Sequence, residues 1–258
     1  MSQTALNWQT APGHQVLAKA GKKILRPGGR AATEQLFTSA NFQPGDTVLE
    51  LAASFGHSAI ALAKQHQVEV TGIERNLESV EIAQENIATA KVTDQVRVIE
   101  GDIFGLDRVE GEFDFVLAEA ILTMQTPAGK AKILKGVRDR LKPGGYFLSH
   151  ELLIGHRKTE ICQALSSAIR VNANPLTEIE WVQACETAGL EVECHQMGAM
   201  GLLTLEQMLK DEGWFGTMKF AWNALTRPQL RERILRMRQV FQDHQNELGY
   251  IVLCAKRP

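Results

Sequence analysis

The sequence predicts an α/β fold in which a mostly parallel sheet carries helices on both faces. Three observations lead there. From residue 46 onward, short β-branched or apolar runs alternate with segments whose apolar residues recur at helical spacing. The chain has 258 residues and 44% hydrophobic content, enough for one large domain with a real core. Acidic residues stand at the ends of successive strands, on the rim where an open parallel sheet holds its ligand.

In order along the chain, residues 1–43 read as an N-terminal helical cover, with ILRPGGR supplying a Gly-rich turn before a helix. The strands are DTVLEL (46–51), VEVTGIE (68–74), VRVIEG (96–101), FDFVLAE (113–119) and GYFLSHE (145–151). Between them lie the helical segments HSAIALAKQH, LESVEIAQENIATA and AGKAKILKGVRDRL, the last stopped by the turn KPGG. Residues 44–151 form the core for a cofactor, and 152–258 a substrate-side half. That half holds two helices near TEICQALSSAIRV and TEIEWVQACETAG, then two strands, LEVECHQMG and LGYIVLCAKR. A helical insertion, 203–246, separates those strands; a connection of that length reads as functional or as a cover. No repeat or flexible linker divides the chain, so one domain is expected over 1–258.

A net charge of −2 gives no reason to expect nucleic acid as a partner. The stretch RPQLRERILRMRQVFQDH carries Arg227, Arg231, Arg233, Arg236 and Arg238 and reads as a solvated helix paired with Glu232 and Asp243, with an anionic substrate, a membrane surface or RNA as the alternatives. The opening MSQTALNWQT has no basic segment followed by an apolar core, and no apolar run is long enough to span a membrane, so a cytoplasmic protein is expected. Cys162, Cys185, Cys194 and Cys254 lack CxxC spacing, which predicts reduced, mostly packed thiols and neither a zinc knuckle nor a disulfide framework.

Glu50 lies near the end of the first strand, Glu74 at the end of the second and Asp102 just after the third. Glu74 stands about one βα unit beyond Glu50, where a carboxylate accepts both protons of a ribose diol. Three acids would oppose the pyrophosphate of a dinucleotide. S-adenosylmethionine brings a sulfonium, an ammonium, a ribose and an adenine without phosphate, and the acidic rim fits it better.

The ordered set VLELAASFG, IER, EGDIF and FDFVLAEAILT, followed by LKPGGYF, resembles the successive motifs of class I S-adenosylmethionine-dependent methyltransferases. The resemblance is close over 44–151 and looser beyond. It implies a Rossmann-like seven-stranded, mostly parallel sheet with an antiparallel last strand and a helical insertion before it. It also implies S-adenosyl-L-methionine as cofactor and a small-molecule methyl acceptor. Carried over, it places Glu50 and the loop from Ala52 through Ser54 to Gly56 around the methionine end, and Glu74 on the ribose. Arg75, Asp102 and Ile103 would meet the adenine, Glu119 and Ala120 would line the pocket after the fourth strand, and Arg26, Gly28 and Gly29 would close over the methionine. Ala52 and Ser54 stand where family members usually carry Gly, which requires a negative φ at Ala52.

Methyl transfer needs in-line positioning above all, and a base only where the acceptor arrives protonated. His150 and Glu151, placed at the end of the fifth strand, are the catalytic candidates, with His150 as base. His57 reads as a helix N-terminal residue and His156 as a weaker candidate. NANP lies in the wrong place, after the fifth strand, for an amine-methylating motif. The acceptor is expected between residues 1–30, 152–180 and 200–246. There Met197, Met200, Met208, Trp214, Phe215, Met218, Phe220 and Trp222 offer adaptable apolar surface, as a lid, a cover or a homodimer face. A nicotinamide-dependent oxidoreductase and a non-catalytic protein of the same fold stay open as alternatives.

Overall fold

The computed structural model describes residues 7–156 and 158–258; the first six residues of the expected N-terminal cover lie outside the described residues. Seven strands are described: β1 (Thr47–Leu51), β2 (Glu69–Glu74), β3 (Val96–Glu100), β4 (Phe113–Glu119), β5 (Leu141–Ile154), β6 (Glu191–Ala199) and β7 (Leu248–Lys256). They form one sheet in the order β3-β2-β1-β4-β5-β7-β6. β1 to β5 are parallel, and β7 inserts between β5 and β6 antiparallel to both. Strand order reverses between β1 and β4, and a ligand crevice belongs beyond the C-terminal ends there.

The helices are α1 (Gly13–Ala20), α2 (Gly29–Ala40), α3 (His57–His66), α4 (Leu77–Ala90), α5 (Pro127–Arg140), α6 (Lys158–Ile169), α7 (Glu178–Thr187), α8 (Leu205–Thr226) and α9 (Pro228–Asp243). Their starts follow from local chemistry. Asn76 and Thr126 accept amides of the first turns of α4 and α5, and Thr177 with Glu180 closes a capping box on α7. Leu36, Phe37, Leu62, Val80 and Ile87 bring α2, α3 and α4 onto one face of the sheet, and Ile133, Val137 and Trp181 bring α5 and α7 onto the other. A third cluster joins α1, α8 and α9 through Leu17, Phe220, Leu230, Ile234 and Met237. Cys185 and Cys254 are packed, and burial pushes both thiols up to about 12.

β5 runs past its expected end at residue 151, because β7 pairs with it continuously from Lys256 to Leu248 and supplies backbone partners as far as Ile154. His150 and Glu151 are therefore interior strand residues. The Arg-rich helix also differs from a uniformly solvated face. Arg233 is buried and donates to the carbonyls of Trp8, Gln9, Ala11 and Ala168, tying α9 to the N-terminal segment and to α6.

α8 breaks at Gly213, whose φ of 68° and ψ of −179° lie outside what side chains tolerate. Its first half is clamped to residues 22–30. Lys22 Nζ lies 3.2 Å from Asp211 and 3.7 Å from Glu212, all three buried. Glu212 Oε1 accepts the amides of Lys23 and Ile24, and Asp211 Oδ1 accepts that of Arg30. Each buried charge thus has partners, the condition under which burial is tolerable.

Candidate functional site

Parallel pairing sets the strand ends level. Glu74 pairs with Glu100 and Glu119 with His150, so β1, β2 and β4 present Glu50, Glu74 and Glu119 along one rim. At the methionine end expected from the sequence, Arg26 reaches in from the turn before α2. Its guanidinium lies 2.8 Å from Glu119 Oε2 and hydrogen-bonds Ser58, whose hydroxyl donates to the same carboxylate. Glu50 lies beside this cluster, only 5% exposed, and its Oε2 has no hydrogen-bond partner among the described residues. Burial, and then repulsion from Glu119, push its pKa up to about 8, with Arg26 opposing. A buried carboxyl with an orphaned oxygen fits a ligand that brings a cation, as an amino-acid ammonium does.

The loop after β1 takes a left-handed path at three of its five residues: Ala52 at φ 54°, Ser54 at 50° and Gly56 at 74°. The expectation of a negative φ at Ala52 is corrected. The backbone keeps a conformation suited to glycine, and the two side chains bear it at about 1 kcal/mol each. Glu74 holds that path, with Oε2 accepting the Ser54 amide at 3.0 Å and Oε1 the Asn76 amide at 2.9 Å. Arg75 beside it is exposed. Asp102 is exposed and caps a 3₁₀ turn through the Phe104 amide at 2.9 Å, and half-buried Ile103 follows it.

The catalytic candidates sit elsewhere than the sequence placed them. His150 is fully buried: its Nε2 accepts the Gly28 amide at 3.1 Å, so Nδ1 carries the proton and faces Thr33 Oγ1 at 3.2 Å. Thr33 Oγ1 donates in turn to Glu119 Oε1 at 2.6 Å. Burial, with Arg26 nearby, lowers the imidazole to about 3, so His150 is a neutral strut beneath the Arg26 turn and not a base facing an acceptor. Glu151 is buried too and accepts from the amides of Ile121, Leu122 and Thr123 and from the Thr123 hydroxyl. Burial raises its pKa while these donors oppose, and its role is to organise the turn after β4. Gly28 and Gly29 are accounted for by protein packing. A Cβ at Gly28 would come within 2.7 Å of the Tyr250 ring, and one at Gly29 within 2.5 Å of Asp211. His57 is the first residue of α3 and lies near Lys23, Arg26 and Glu212.

Next to Ala120, itself left-handed at φ 55°, lies an apolar cavity of about 100 Å³. Leu17 of α1, Leu165 and Ile169 of α6, Met200, and Met237 and Phe241 of α9 wall it, with Thr123 and Leu152 from the sheet side. Of the apolar residues singled out between 197 and 222, Met200 reaches it. Met208 and Phe220 pack in the helical core, and Met197, Trp214, Phe215, Met218 and Trp222 are exposed. The lining includes one titratable side chain, His14 of α1, which the sequence reading passed over. His14 keeps access to solvent; desolvation lowers its pKa, and the charge of Glu74, the ribose-binding candidate, opposes this. Gly13 and Leu17 flanking it on a short helix gave a faint signal, but a lone histidine there has no motif around it.

Glu50 makes the site pH-dependent. An acid held near 8 keeps its proton in the folded state where the unfolded chain, near 4.5, has lost it. Stability therefore declines as pH rises through that window, by a few kcal/mol in all, and the penalty is complete above it. A cationic ligand group would lower this pKa. Binding of S-adenosylhomocysteine at neutral pH should then release close to one proton, seen by calorimetry in buffers of different ionisation enthalpy. Glu50→Gln should abolish the release and flatten the melting temperature between pH 5 and 8; an unchanged release would remove Glu50 from the ligand.

Comparison with known proteins bears on the same residues. Residues 48–145 match the profile of the methyltransferase domain family. An uncharacterized protein of Haemophilus influenzae is 34% identical over 246 residues, 95% of this chain and 98% of that one. The ribosomal protein L11 methyltransferase of Bacillus subtilis is 31% identical over 144 residues, and the chain spans only 42% of its length. A Geobacter sulfurreducens structure, described as a SAM-dependent methyltransferase in complex with S-adenosyl-L-homocysteine, superposes with a TM-score of 0.73 at 16% identity, covering 97% of this chain and all of that one, a likeness of fold. Among the described residues no group of His, Cys, Asp and Glu is arranged to hold a metal ion, and no helix is long and apolar enough to cross a membrane. The matched methyltransferase domain runs from β1 into β5 and contains Glu50, Glu74, Asp102 and Glu119, and the chain around it has the fold of the S-adenosyl-L-homocysteine-bound structure.

Proposed function

We propose that the protein transfers a methyl group to a small acceptor whose apolar part occupies the cavity beside Ala120. The observation carrying this reading is the cavity's lining: apolar residues from 1–30, 152–180 and 200–246, closed by the turn after β4, with His14 the one titratable group, next to the cofactor rim. A pocket of this size and lining admits hydrocarbon groups about the size of a ring or a short branched chain. Glu74 would hold the ribose hydroxyls, Asp102 and Ile103 the adenine, and Arg26, Glu50 and Glu119 the amino-acid end. Once bound there, the cofactor supplies an electrophilic methyl on a good leaving group.

The chain's own part is positioning and proton handling. The turn after β4, held by Glu151, sets Ala120 and Thr123 at the boundary between the two sites. His14, neutral near pH 7 because its pKa is lowered, accepts the proton of a hydroxyl or thiol acceptor. The test is methyl transfer from labelled cofactor into a panel of small apolar alcohols, thiols and phenols. His14→Gln should lower kcat by roughly 100-fold or more and remove the acid limb of the pH profile, while S-adenosylhomocysteine affinity changes less than threefold. Unchanged turnover and pH profile would exclude His14. Cofactor binding without transfer to any acceptor in the panel would favour a non-catalytic relative.

A further inference from the structure

We propose that the second half of α8 docks the protein on an anionic lipid surface. Beyond the break at Gly213, Trp214, Phe215, Met218, Trp222 and Leu225 recur at helical spacing and form one stripe along the helix. All five are exposed, Phe215 by 88% and Trp222 by 68%, and among the described residues nothing covers them. The opposite side of the same helix is fixed to the body. Phe220 is buried with α1 and α9, and Asn223 donates to the Ala20 carbonyl at 3.0 Å. The stripe is thus held outward by packing behind it, and it exceeds the scatter of single apolar residues on an ordinary surface.

Charge decides what it meets. From Gly213 to Arg231 the chain has no Asp or Glu, while Lys219 lies within the stripe's own turns and Arg227 and Arg231 follow it, all exposed. The carboxylates just before the break, Asp211 and Glu212, are turned inward onto Lys22 and the amides of residues 23, 24 and 30. Lys23, whose amide is held by Glu212, is exposed at the same end. A symmetric pair of copies joined through the stripe would gather Lys219 and Arg227 of both copies into one apolar interface with no carboxylate of the stripe to offset them. An anionic bilayer supplies the missing countercharge, and paired tryptophans beside cations suit its headgroup boundary.

The full-length protein is sedimented with phosphatidylcholine vesicles, alone or with about a third phosphatidylglycerol, and its tryptophan emission is recorded. Wild type should pellet with the anionic vesicles at least tenfold more strongly than with neutral ones, shift its emission to the blue, and release at high salt. The triple variant Trp214→Ser, Phe215→Ser, Trp222→Ser and the separate variant Lys219→Glu, Arg227→Glu should each lose at least tenfold in binding. Both should keep the wild-type melting temperature and S-adenosylhomocysteine affinity, since none of these side chains is buried. No pelleting, or equal pelleting with both vesicles, overturns the proposal. So does a lipid-free dimer in light scattering that the triple variant dissolves.

Discussion

Glu74→Ala is expected to lower the affinity for S-adenosylhomocysteine by at least a hundredfold, measured by titration calorimetry. Two losses combine. A carboxylate accepting both hydroxyls of a ribose makes two charge-assisted hydrogen bonds, and each is worth about 1.5–3 kcal/mol. The same carboxylate also ties the amides of Ser54 and Asn76, so its removal frees the loop in which Ala52 and Ser54 hold left-handed backbone. A loop kept in that path by its neighbours relaxes when a neighbour goes, and ligand binding must then restore it. Glu74→Gln should fall between, since one amide oxygen still accepts while the NH₂ confronts a donor. Glu74 is half-buried, so the melting temperature should move by only a few degrees. Affinity within threefold of wild type would refute the ribose assignment.

Glu151→Ala should have the largest effect on stability. Its two oxygens accept from Ile121 N at 3.1 Å, Leu122 N at 2.9 Å, Thr123 N at 2.8 Å and Thr123 Oγ1 at 2.6 Å, with the side chain fully buried. Truncation leaves donors without an acceptor in the interior, each costing about 1–3 kcal/mol before water enters to relieve part of it. A loss of about 4 kcal/mol is expected, equivalent to a fall of roughly 10 °C in thermal unfolding. Glu151→Gln, which keeps the volume and one acceptor, should recover about half. Acceptor KM should rise before cofactor affinity falls, because this turn lines the apolar cavity through Ala120 and Thr123. A melting temperature within 2 °C of wild type would show that the turn holds itself without the carboxylate.

The strands were legible because each is a short apolar run whose neighbours are helices of clear period. The segments HSAIALAKQH and LESVEIAQENIATA coincide with α3 and α4. The acids could be read because parallel strands end together, so sequence position at a strand end becomes spatial position on a rim. His150 and Glu151 were misplaced for a related reason. β7 is antiparallel and distant in sequence, and nothing local to GYFLSHE reveals that its pairing carries β5 on to Ile154. His14 was missed because its place on the cavity depends on α1 meeting α6 and α9, a tertiary event that the short local pattern around it does not announce. Ala52 and Ser54 show a preference overridden: the Cβ of each favours negative φ, and the hydrogen bonds of Glu74 accompany the opposite.

The buried clamp of Lys22 with Asp211 and Glu212 has a consequence for how this chain can diverge. Residues 22–30 carry Arg26 and the turn over His150, whereas residues 211–212 belong to the insertion far along the chain. Neither half of the clamp is tolerable alone, since each would leave a charge stranded in the interior. Recombination between relatives that exchanges α8 and α9 therefore has to carry residues 22–30 with them, and the two stretches form a single unit of inheritance despite some 180 residues between them.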